Sequence, residues 1–166
     1  MTFVIEAIIA IIFFTIFVVS SVRKNPISWV DDYPPAIVKR CKELGLINNN
    51  DKSRKANFYI NKLVKSIIIT ITITCIVVLI NGAKTFFDGF MITYGLWFIV
   101  AWYDALVIDC LWFCHDKSIR IKGTEDMDEA YCDYMFHIKM SLRGCLLGIP
   151  VSLLVGLFTL IINYLI

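Results

Sequence analysis

Residues 86–114 read FFDGFMITYGLWFIVAWYDALVIDCLWFC. A helix that crosses the ~30 Å hydrocarbon core of a bilayer needs about 20 predominantly apolar residues. This run is longer than that, and it is the longest of its kind in the chain. It also contains two carboxylates, Asp104 and Asp109, well inside its length. An ionisable side chain in a membrane-length segment is costly and marks a functional site by default.

Three further runs are of membrane length or close to it: 3–20, 64–80 and 145–166. Helices rather than strands follow, because an isolated apolar segment in lipid satisfies its backbone only as a helix. A β-barrel needs short alternating segments, and these runs are continuous. Composition agrees. The chain is 58% hydrophobic and 18% charged, against about 45–50% and 25% for a soluble domain. The expected fold is therefore all-α, a polytopic membrane protein with four transmembrane helices. Residues 1–166 form a single transmembrane domain. The connections 21–63 and 115–144 hold only short amphipathic cytosolic helices, too small for a core of their own.

Charge distribution sets the expected orientation. Arg23, Lys24, Lys39, Arg40, Lys42, Lys52, Arg54, Lys55, Lys62 and Lys65 lie in or beside the first connection. Lys117, Arg120, Lys122, Lys139 and Arg143 lie in the third, and the turn at 81–85 has Lys84 alone. Counting positive charges places both long connections in the cytosol and both termini outside, in the plasma (cytoplasmic) membrane. The first run is a retained anchor: basic residues follow it, and no basic region or small-residue cleavage site marks a signal peptide. Six cysteines, cytosolic or in the membrane on this topology, are expected as thiols. No C-x-x-C pair is present.

Local signals refine the picture. Asn25-Pro26 to Tyr33 reads as an extended interfacial piece closed by Pro34-Pro35. Pro35 suits the first position of a helix over 36–44, and Gly45 suits its stop. Ile37, Val38, Cys41 and Leu44 then share one face, giving a basic amphipathic helix on the inner leaflet. Asp51 or Ser53 can cap a helix running into the second span. In the fourth span Gly144, Gly148, Ser152 and Gly156 recur every four residues. Such a stripe allows close helix approach, either inside the monomer or in a homo-oligomer. Glu6 would serve as a proton or cation site only if it faced the bundle interior.

Candidate chemistry gathers at the cytosolic boundary. Counted from Phe86, Asp104 lies roughly 27 Å along a 1.5 Å rise, and Asp109 about 7 Å further. Trp102 and Tyr103 accompany them, as an inner aromatic belt would. These four are the candidate ligand- or ion-binding residues. Beyond the span come His115 and Asp116. Thr124 is placed to cap a helix with an acidic first turn, on which Glu129, Asp133 and His137 recur every four residues. Two histidines with several carboxylates suit a hard or borderline divalent metal, so His115, Asp116, Glu129, Asp133 and His137 are the metal candidates. The same groups suit acid–base work, with Asp109 and His137 foremost. No G-x-S-x-G or phosphate-binding loop is present. The basic residues are explained by topology and anionic lipid rather than nucleic acid. Function is expected to be that of a ligand- or ion-binding transport or assembly component. The alternatives are an interfacial enzyme on a lipid-linked substrate and a purely structural membrane protein.

Overall fold

In a computed structural model of the protein, residues 2–47, 72–73, 75–77 and 79–165 are described. Most of them are helical, with no strand among them. Helix α1 covers Thr2–Lys24 and α2 covers Pro35–Glu43. Helix α3 runs over Phe86–Phe113 and changes its winding at Asp104. A short α4, Asp128–Tyr131, precedes α5, Tyr134–Leu165. Three of the described helical stretches are long and apolar enough to cross a membrane: Thr2–Lys24, Phe86–Phe113 and Asp128–Leu165. Their outward surfaces agree, with Ile8, Ile12, Phe13, Ile16 and Phe17 of α1 all more than half exposed. The expected span 64–80 and the cap at Asp51 or Ser53 lie largely outside the described residues; 72–73, 75–77 and 79 are helical.

The boundaries have local causes. Thr85 Oγ1 accepts the Asp88 N–H at 3.1 Å, and the Asp88 carboxylate accepts the Thr85 N–H at 3.0 Å. This reciprocal capping box starts α3. Pro35 opens α2, where a missing N–H costs nothing, and Gly45 at φ 70° closes it. Pro26–Asp32 is a 3-10 helix rather than the extended piece expected from its prolines. Ser28 N–H returns to the Asn25 carbonyl, so the segment tightens around its own first residue.

The chain divides into two compact units. The first comprises Met1–Ala7, Asp51–Ile99 and Arg143–Ile166. Here α3 and α5 run antiparallel, Gly89 lying against Thr159 and Trp97 against Gly148. A side chain added at Gly148 would overlap the Trp97 indole, and one at Gly156 would come within 2.7 Å of the Phe86 carbonyl. Ser152 is fully buried between them in sequence, its hydroxyl returned to the Gly148 carbonyl at 2.8 Å. Three residues of the small-residue stripe are thus covered within the chain. Gly144 has nothing within 4 Å of where a side chain would begin. Its carbonyl accepts the Trp97 Nε1–H at 2.9 Å. Glu6 Oε2 accepts the Asn81 amide at 3.0 Å, while its Oε1 is buried without a hydrogen bond.

The second unit comprises Ile8–Asn50 and Val100–Leu142. Its core draws Val18 and Val22 from α1, Ile37 and Cys41 from α2, Ile108 and Phe113 from α3, and Ile119, Ile121 and Tyr131. Tyr33 packs edge-on against Phe113 and Tyr131, with ring centres 4.8 and 5.9 Å away. Such edge-to-face geometry is favoured by the ring quadrupoles.

Candidate functional site

The site lies within the second unit and begins with the winding of α3. In an α-helix, residues five apart point about 140° away from each other, at 3.6 residues per turn. From Asp104 to Phe113 the helix takes the wider π winding instead. At its end the Cys114 N–H returns to the Asp109 carbonyl, five residues back. Bonding from i to i+5 turns Asp109 closer to the face of Asp104 than α winding would. Both carboxylates are half-buried. Asp104 interacts electrostatically with Asp109, His137 and Asp32.

His137 fixes the proton arrangement. Its Nδ1 lies 3.3 Å from Asp109 Oδ2, and its Nε2 lies 3.1 Å from the Tyr131 carbonyl. A carbonyl can only accept, so Nε2 carries a hydrogen. Nδ1 then either donates to an ionised Asp109 or accepts from a protonated one. In both cases the pair shares one proton. The imidazole is buried, with the edge-on rings of Phe113 and Phe136 beside it at 5.7 and 5.5 Å.

Tyr131, whose carbonyl holds His137, is itself held. Arg120, buried, donates to the Phe113 and Cys114 carbonyls at 3.3 and 2.6 Å. It therefore caps the C-terminal end of α3, where a cation suits the helix dipole. Its guanidinium sits 3.8 Å from the centre of the Tyr131 ring and 3.3 Å from Asp128. The Tyr131 hydroxyl closes a ring of hydrogen bonds. Thr124 donates to the Ile121 carbonyl at 2.8 Å, so its oxygen must accept from Tyr131 at 2.7 Å. Tyr131 in turn accepts the Ile121 N–H at 3.1 Å. Thr124 is thus not the helix cap expected of it; α4 begins only at Asp128. Burial pushes the Tyr33 phenol above its ordinary range, and neighbouring Tyr131 adds to the shift.

Of the residues expected to ligate a metal, only His137 joins this cluster. His115 turns back on its own helix, Nδ1 lying 2.9 Å from the Leu111 carbonyl. Asp116 is committed to Arg23 at 3.0 Å, Trp112 Nε1 at 2.9 Å, and both the N–H and hydroxyl of Ser118. The Ser118 hydroxyl above all, with Arg23 assisting, holds its carboxyl at about 2. Glu129 is exposed, and Asp133 caps the start of α5 by accepting the Phe136 N–H at 2.9 Å. The chain breaks its helix at Cys132 and Asp133. A four-residue rhythm aligns side chains only along an unbroken helix, so Glu129 does not share a helix face with His137. Among the described residues, no three histidine, cysteine or acidic side chains are grouped so as to hold a metal ion. Tyr103 donates its hydroxyl to Thr15 at 2.9 Å, since Thr15 already donates to the Ile11 carbonyl; Trp102 is half-buried.

Asp32 is the member that sequence reading passed over. Its signal was the Asp31-Asp32 pair between Trp29 and Tyr33. Comparison with known proteins gave no match: no family model, no curated protein and no solved structure is similar to the chain.

Proposed function

We propose that this chain is an integral membrane protein that binds an organic cation at the carboxylates of Asp104 and Asp109, as a transport or assembly component. The wide winding that turns Asp109 towards Asp104, with Asp109 held 3.3 Å from His137, carries this reading. Two carboxylates beside one imidazole, with Asp32 interacting with Asp104, suit a positively charged ligand. Trp102 and Tyr103, next to Asp104 in sequence, suit a cation with an apolar body. Positive charges concentrated in the connections around 21–63 and 115–144 support a site at the cytosolic boundary, with both termini outside.

The enzyme reading is weaker on one point. In an acid–base dyad one imidazole nitrogen is oriented by the carboxylate and the other faces the substrate. Here the second nitrogen is occupied by the Tyr131 carbonyl. His137 therefore orients Asp109.

Binding of tetraphenylphosphonium to the full-length protein in nanodiscs, followed by calorimetry, tests the proposal. Saturable binding is expected, weakened about tenfold or more by Asp109→Asn or Asp104→Asn, which corresponds to about 1.4 kcal/mol. Glu129→Gln should leave it unchanged. Absence of saturable binding to the unmodified protein, or an affinity unchanged from it in both aspartate variants, sinks the reading.

A further inference from the structure

Cys114 follows the last residue of α3, and Cys132 follows α4. The Cys114 thiol donates to the Tyr131 carbonyl at 3.4 Å, and the Cys132 thiol donates to the Cys114 carbonyl at 3.1 Å. Each sulfur thus reaches the backbone that carries the other. We propose that Cys114 and Cys132 form an oxidisable dithiol, a modification site that closes to a disulfide on meeting a small-molecule disulfide oxidant. No thiol–carbonyl bond of this kind links Cys110 to either segment among the described residues, although it lies on the same helix.

Accessibility orders the steps. Cys132 is half-buried and Cys114 is buried, so the oxidant meets Cys132 first. The Cys132 thiolate attacks one sulfur of oxidised glutathione, breaking its S–S bond. One glutathione leaves as a thiolate and takes up a proton. Cys114 then gives up its proton, attacks the Cys132 sulfur of the mixed disulfide, and expels the second glutathione. Two protein thiols are oxidised and one glutathione disulfide is reduced to two thiols. Where the cytosolic glutathione pool is reducing, the pair rests as the two thiols seen here. The new bond ties together the two segments that meet at the Tyr131 carbonyl, the acceptor that holds His137.

The experiment uses the full-length protein in nanodiscs, treated with oxidised glutathione, alkylated, and digested for mass spectrometry. The expected product is one intramolecular Cys114–Cys132 crosslink, with two of the six thiols lost to alkylation and restored by dithiothreitol. Cys132→Ser, which keeps a donor to the Cys114 carbonyl, should abolish it; Cys110→Ser should not. Failure to form a disulfide overturns the proposal. So does a crosslink joining Cys110 to either residue, or one between separate molecules.

Discussion

In the first unit α3 and α5 meet where side chains are missing; in the second unit the contacts are made by side chains that donate and accept. Gly148 admits the Trp97 indole and Gly156 admits the Phe86 backbone, and the Trp97 Nε1–H bonds the Gly144 carbonyl. The second unit instead links Arg120, Tyr131, Thr124, His137 and Asp109 through hydrogen bonds and an ion pair. Small residues let helix backbones approach closely, and van der Waals contact then holds them. A buried polar network is stable only when its members are satisfied, and then it fixes one geometry. Packing by absence holds helices together, while packing by hydrogen bonds positions chemistry.

The largest test of this contrast is Gly148→Leu, which forces the Trp97 indole out and breaks its bond to the Gly144 carbonyl. A loss of about 3 kcal/mol, the upper end for overpacking, is expected on thermal unfolding in detergent. Gly144→Leu, four residues away with open space before it, should stay within about 0.5 kcal/mol. Equal losses at the two positions would break the comparison.

Arg120→Met probes the polar side. It removes a charged donor from two helix-end carbonyls, and roughly 2–3 kcal/mol should be lost in chemical denaturation. Arg120→Lys should recover less than half, because a point charge cannot reproduce the planar fork that serves both carbonyls. Full rescue by lysine would mean that charge alone holds the end of α3.

The smallest effect concerns pH. Asp116 is held at about 2 against an ordinary 3.8. A depressed carboxyl stabilises the fold above its unfolded value, and that contribution is lost as pH falls through the folded one. Melting temperature should therefore drop between about pH 4 and pH 2, and Asp116→Asn should flatten this limb. An unchanged slope in the variant would assign the acid limb to other carboxylates.

Much of the fold was legible because its causes are local. Run length and apolarity marked α1, α3 and α5, and Pro35 with Gly45 bracketed α2 within a residue. The site was legible only in part. Asp104, Asp109 and His137 were singled out as costly or chemically able. Their grouping with Glu129 and Asp133 assumed a continuous helix that Cys132 and Asp133 interrupt. Asp116 looked like a ligand, yet four donors around it leave it as a structural anchor. The structural roles of Arg120 and Thr124 went unread, because the carbonyls and ring they serve lie on other segments.

The sequence by itself determined that this chain is built of apolar helices of membrane length, since continuity and composition need no neighbour to be read. It also determined which residues were too polar for their surroundings. Tertiary structure decided which of those residues meet. A change from α to π winding turns Asp109 towards Asp104, and a break before Tyr134 frees His137 from the rhythm that precedes it. Both depend on energies spread over many residues, from the capped end of α3 to the hydrogen-bonded ring at Tyr131. No short stretch of sequence carries them alone.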